Sequence, residues 1–398
     1  MARLLPLIVI AVCVYMYFRA KRNRVLPVLS AGAPRRTGAL DGLVPRAELN
    51  TAVAAPDPAL QLALTAVGDG DWQPAARLLA GTGDDWERRA ARAYGLGDAA
   101  GRAMAAAESP PTAPGALTAP GDTPTDPSSP PETSPSKTSP PEPPGWSAAW
   151  QRARPDDPDA ALVHARALVS RAWELRGAQR ARDTSTEQFA EFRAGLRESL
   201  PAIARAEELS AADPSPYVAE IWTMIGLGSP HEEMRALWAK ITERAPHHYE
   251  AHYSALQYWC AKWQGSAELA AAFAADAAAG APRGALLSAL PLISFYEHER
   301  DNQRPRPYRK QPVTAMVDAA LADVAAAPSD HPRLAEVRHL LAWFLLQQKR
   351  YAASAEQFRL VDGYVNALPW RYSSDPAKLY SASRDAAVLQ ARHQRGHS

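Results

Sequence analysis

Cysteine is almost missing from this sequence: its 398 residues hold Cys13 and Cys260 and no others. Two cysteines so far apart cannot make a zinc-type thiol spacing, and Cys13 lies in an apolar run, so a bridge between them is not expected. The fold must therefore rest on apolar packing. Net charge is equally scarce, since 44 basic side chains meet 43 acidic ones and leave +1. No overall field draws nucleic acid or a strongly acidic substrate, and no basic patch is interleaved with aromatics, so no nucleic-acid partner is expected. Isoleucine and valine are sparse, while alanine, leucine and arginine dominate. Alanine and leucine are the strongest helix formers, which points to an all-α protein. Lysine is rare, seven against 37 arginines, a bias that fits a GC-rich genome and carries no mechanism. No phosphate-binding loop, dinucleotide glycine pattern, nucleophile elbow or kinase signature occurs, so neither a cofactor nor a small-molecule substrate is expected.

Only one long hydrophobic run exists. Residues 4–18, LLPLIVIAVCVYMYF, are apolar without interruption, and the basic cluster RAKRNR follows at 19–24. With Ala2, and with Arg3 and Arg19 snorkelling, the run approaches the length a transmembrane helix needs. Leu4, Ile8, Val12 and Phe18 would face lipid as an anchor, flanked by Arg19, Lys21, Arg22 and Arg24. A cleaved signal peptide would place small residues after its apolar core, where charge stands here. Val12 before Cys13 is not a lipoprotein site. A signal peptide and a buried soluble helix remain the alternatives. Positive charge is heavier downstream, which predicts a single-pass cell-membrane protein with its body in the cytoplasm.

Residues 1–24 thus read as anchor and basic flank, and 25–56 as a tether. A short helical segment follows at 57–108, with Asp57-Pro58 as an N-cap and first-turn proline, and a helix expected from Trp86 to about Tyr94. Residues 109–145 contain 13 prolines among serine, threonine and a few acids, too little apolar area to offset the ordering entropy. A disordered linker is expected there, either a plain spacer or a ligand for proline-binding domains. From 146 to 398 the helical signal is nearly continuous. Thr184 and Glu187 match a capping box, and Gly177 opens the turn before it.

A period then emerges. Pro214, Pro246 and Pro282 close successive helix pairs at intervals of 32 and 36 residues, the length of stacked helical hairpins. In the first pair Tyr217, Ile221 and Ile225 face Met234, Leu237, Trp238 and Ile241. In the second, Tyr249, Tyr253, Leu256 and Trp259 face Leu269, Ala272 and Phe273. A third pair, at 284–327, is split by the loop RDNQRPRPYRKQP. Its Arg300, Arg304, Arg306, Arg309 and Lys310 are either simply solvated or in contact with an anionic leaflet.

The hairpin at 333–361, which contains HLLAWFLLQQKRYAASAEQFRLV, resembles a tetratricopeptide repeat. Leu341 and Ala342 match the Leu-Gly pair of that family, Leu345 its first aromatic position, and Tyr351 and Phe358 the aromatics of its second helix. Ser354 stands in place of alanine and Arg338 in place of tryptophan, so the repeat is degenerate. The segment QYWCAKWQGS is similar to a phrase in bacterial membrane-anchored helical-repeat proteins of unknown function. The resemblance implies an α-solenoid of stacked hairpins whose groove binds a peptide or a protein partner, here proposed from Tyr249, His252, Tyr253, Leu256, Trp259 and Trp263. One hairpin cannot bury its own apolar face, so each pair completes its core on the next.

The stretch HHYEAHYSALQYWCAKWQGS, residues 247–266, invites a second reading. His248 and His252 are four apart, the spacing of a zinc pair, and Glu297, His298 and Glu299 are the nearest further ligands, which would make a metal-dependent enzyme. His231 opens HEEM, but Arg235 stands where a metalloprotease needs its second histidine. Helical placement instead puts His252 on the packing stripe and His247 with Glu250 on the solvated face. On that reading the chain is no enzyme, Cys260 is a buried small hydrophobe, and Ser266 caps the next helix. A permanent structural subunit of a membrane assembly is a further alternative.

Overall fold

A computed structural model describes residues 42–108, 145–176, 186–300 and 305–396. The anchor with its basic flank, the linker up to residue 144, and Gly177 and Thr184 lie outside the described residues. Among those described, no helix is long and apolar enough to cross a membrane.

The described chain is all-helical. Its α-helices are α1 Pro58–Gly68, α2 Gln73–Ala80, α3 Trp86–Glu108, α4 Trp146–Ala153, α5 Pro158–Arg176, α6 Thr186–Leu209, α7 Ser215–Leu227, α8 His231–Arg244, α9 Tyr249–Trp259, α10 Ala267–Gly280, α11 Leu290–Glu299, α12 Gln311–Ala326, α13 Leu334–Gln347, α14 Tyr351–Leu360 and α15 Pro376–Arg395. The sole extended pairing among the described residues is an isolated parallel bridge, Asn50 with Tyr364.

The chain divides into two compact units. The larger comprises Pro56–Ser294 and Ala325–Leu334; the smaller comprises residues up to Ala55, Phe295–Val324 and Ala335 onward. In the larger unit the expected cap forms: the Asp57 carboxylate accepts from the Ala59 and Leu60 amides, with Pro58 in the first turn of α1. The hairpin α7/α8 buries Tyr217, Ile221, Ile225, Met234, Leu237 and Ile241 as the periodicity predicts. Gly228, at φ 73°, ends α7 in the left-handed conformation that glycine tolerates best. The register of α10 differs from expectation. Leu269 and Ala272 are exposed, and the buried stripe runs through Ala270 and Ala274 with Phe273 partly covered. In a helix this rich in alanine the apolar contrast is too weak to single out one face.

Helix α3 runs far beyond Tyr94, because its glycines are contact points and not breakers. A Cβ on Gly97 would stand 2.4 Å from Arg166 Cγ, and one on Gly101 would stand 2.6 Å from the Ala167 carbonyl oxygen of α5. The absence of side chains lets α3 and α5 approach closely, and this is among the most extensive helix contacts in the unit. Gly101→Ala is therefore expected to destabilise the fold by about 1–3 kcal/mol, despite the better helix propensity of alanine. An unfolding midpoint equal to or above wild type would refute that close approach.

In the smaller unit, Trp370, Phe358 and Tyr380 pack ring against ring, with centroids 5.4–5.6 Å apart. His339 is buried among them; it accepts from Trp370 Nε1 and donates Nε2–H to the Val53 carbonyl. Residues 42–55, read from sequence as part of a tether, are bound down instead. The Val44 amide donates to Asp362, Arg384 donates to the Val44 carbonyl and to Asp362, and the Asn50 amide donates to the Gly363 carbonyl. These partners lie more than 300 residues away, and no helical period marks the segment. The arginines of the charged loop are partly engaged too. Arg309 donates to the Gln347 carbonyl and Arg300 sits 4.1 Å from the Tyr372 ring centroid.

Candidate functional site

The stretch 247–266 builds α9 and the turn into α10. His248 is the N-cap of α9, where its Nδ1 accepts from the Ala251 amide at 3.3 Å. That bond fixes the tautomer, so Nε2 carries the proton and donates to the Trp86 carbonyl at 3.1 Å. Both ring nitrogens are spent on backbone, which leaves no lone pair for a metal. Burial pushes the His248 pKa below its ordinary value. His252 donates Nδ1–H back to the His248 carbonyl at 2.8 Å and meets Trp238 edge-on, ring centroids 4.8 Å apart. Burial lowers its pKa to about 4. Of the further ligand candidates, Glu297 accepts from the Tyr372 hydroxyl. No grouping of three or more potential ligands occurs among the described residues.

Placement on the solvated face holds for His247 and fails for Glu250. His247 is exposed, whereas Glu250 is only 4% exposed. It pairs with Arg333 and accepts from the Ser254 hydroxyl. The segment that carries Arg333 packs here from more than 80 residues away, a contact that helical periodicity cannot reveal. Beside it, Glu87 of α3 accepts from the Tyr249 amide, and its second oxygen lies 3.6 Å from His248 Nε2. Burial raises the Glu87 pKa, against the opposing pull of that amide, His331 and Arg333. These bonds join α3, α9 and residues 331–333 into one buried polar knot.

The aromatic residues of α9 divide by exposure. Tyr249, His252, Leu256 and Trp259 are buried and serve as core, as does Cys260. Only Tyr253 and Trp263, of the six groove candidates, are partly exposed. Ser266 caps α10 by accepting from the Leu269 amide, as expected. Trp263 belongs to a different assembly of rings. It meets Trp173 of α5 edge-on at 5.7 Å, and Trp173 meets Trp222 of α7 at 6.0 Å and Phe192 of α6 at 4.9 Å in the same manner. Trp222 is held by a hydrogen bond from Nε1 to Ser254 of α9, and the turn carrying Trp263 is held by His231 and by Gln264 donating to the Ile225 carbonyl.

The three tryptophans remain partly exposed. No sequence motif singles out Trp173 or Trp222. The spacing 173, 222, 263 is too irregular to register as a repeat. The chain matches no protein-family model, no curated protein and no solved structure, so its functional reading rests on this geometry.

Proposed function

We propose that this chain is a membrane-anchored protein–protein interaction scaffold. In this reading residues 4–18 span the cell membrane, the body lies in the cytoplasm, and the helical hairpins form a tetratricopeptide-like solenoid that takes a peptide or protein partner. One observation supports it above the rest: the first helices of successive hairpins, α5, α7 and α9, pack in sequence order. A partly exposed tryptophan stands on α5, on α7 and just after α9. Aromatic side chains on a rigid frame supply contact area at low entropic cost and are the usual anchors of interfaces. The groove is therefore drawn through Trp173, Trp222 and Trp263, with Tyr253 as the remaining partly exposed residue of α9.

The test is photo-crosslinking of the full chain in its native membrane, comparing wild type with a Trp222→Ala/Trp263→Ala double variant. A partner captured by wild type should be reduced about tenfold or more in the variant, the effect of losing one strong anchor, while helical content is unchanged. No captured partner, or equal capture by both chains, would end the reading.

A further inference from the structure

Arg176, at the C-terminal end of α5, stands apart from the other arginines of this face. Its guanidinium carbon lies 5.2 Å from the Trp173 ring centroid, 5.5 Å from that of Phe192 and 5.8 Å from that of Trp263. Among the described residues it meets no carboxylate; burial lowers its pKa with no opposing charge to raise it. Neighbouring arginines behave otherwise: Arg166 pairs with Asp98, and Arg171 with Glu108 and Glu198. Among the described residues the cation meets ring faces only, an arrangement that leaves its hydrogen-bond donors unspent. In the same ring group the Trp173 indole N–H is buried and has no acceptor among the described residues. A buried donor without a partner is unfavourable.

We propose that Arg176 and the surrounding tryptophans form the specificity pocket of the scaffold face, and that it takes an acidic, extended peptide whose glutamate or aspartate carboxylate pairs with Arg176. The inference rests on the scaffold reading and names its partner class. Charge complementarity favours a carboxylate, since one fork-shaped guanidinium binds it through two parallel bonds. The indole surfaces of Trp173, Trp222 and Trp263 suit the flanking residues of an extended chain, as aromatic grooves suit proline-rich segments. A membrane surface is a poorer match, because it is gripped by several exposed basic residues together, and the described residues here offer one cation set against rings.

Fluorescence anisotropy with the purified full chain tests this, using labelled Ac-(Glu-Pro)4-amide and its Gln-Pro counterpart. Wild type should bind the glutamate peptide about tenfold or more tightly than the glutamine peptide, the scale of a charge-assisted pair. Arg176→Gln should lose that difference with unchanged circular dichroism, and Arg176→Lys should keep part of it. Equal affinity for the two peptides, undiminished binding by Arg176→Gln, or no binding of the glutamate peptide up to about 1 mM would overturn the proposal. So would Arg176-dependent recruitment to phosphatidylserine vesicles in place of peptide binding. A crosslinked partner retained equally by wild type and Arg176→Gln would sink this inference and leave the scaffold reading standing.

Discussion

Replacing Arg89 with alanine is expected to destabilise the larger unit by about 3–5 kcal/mol, the usual consequence of removing one partner from a buried charge cluster. Arg89 lies on α3 and is only 6% exposed. Its Nη2 donates to Asp159 at 2.5 Å, its Nε to Asp213 at 2.6 Å, and its Nη1 to the Leu79 carbonyl. Asp159 stands in the first turn of α5, and Asp213 accepts from the Ser215 amide at the start of α7. One guanidinium thus joins three helices and neutralises two carboxylates. Burial already holds the Asp159 pKa above its ordinary value even with Arg89 in place. Without the cation both acids would have to protonate or draw in water. Urea unfolding at pH 7 measures the effect, and a loss below about 1 kcal/mol, the range of exposed pairs, would refute the role. Arg89→Met combined with Asp159→Asn and Asp213→Asn should recover part of the deficit, because it removes the charges together.

Such a triad also marks the limit of what the sequence discloses. The helices of residues 214–282 were legible because proline spacing and apolar stripes are local signals. The Asp57 and Ser266 caps were legible because a cap needs only its own first turn. Arg89, Asp159 and Asp213 are separated by up to 124 residues, and nothing local distinguishes Arg89 from the other arginines of α3. The same reason hides Glu250, which belongs on a solvated face by helical angle and is buried by a segment arriving from Arg333. Glycines 97 and 101 show the opposite effect, since a residue that propensity disfavours inside a helix is required where two backbones nearly touch. The candidate site shows both effects. Trp263 was visible as one of the six groove candidates. Tyr249, His252, Leu256 and Trp259 share its stretch yet are withdrawn into the core, so composition located the region and only packing separates its outer residues from its inner ones.

Acid should unfold the larger unit in part through His252. Its folded pKa of about 4 lies below the model-peptide value near 6.5, with burial as the first cause. Between those values the unfolded chain binds a proton that the folded chain refuses, so stability rises with pH across this window. The contribution is fully present above about pH 6.5 and is lost as pH falls toward 4, amounting to about 3 kcal/mol. His248 and His331 are shifted in the same direction, whereas the raised pKa of Glu87 acts against them, because its protonation on acidification favours the folded state. His252→Asn retains a donor for the His248 carbonyl and removes the titration. Its unfolding free energy should therefore fall less steeply between pH 6.5 and 4 than that of wild type, by about 1 kcal/mol per pH unit. Parallel slopes would show that His252 is protonated without penalty, and hence that the slot between Trp238 and Phe273 admits water. The smaller unit carries the same liability in His339, whose pKa burial also lowers to about 4. There a proton on Nδ1 would take the lone pair that accepts from Trp370 and set two donors face to face at the centre of the ring cluster.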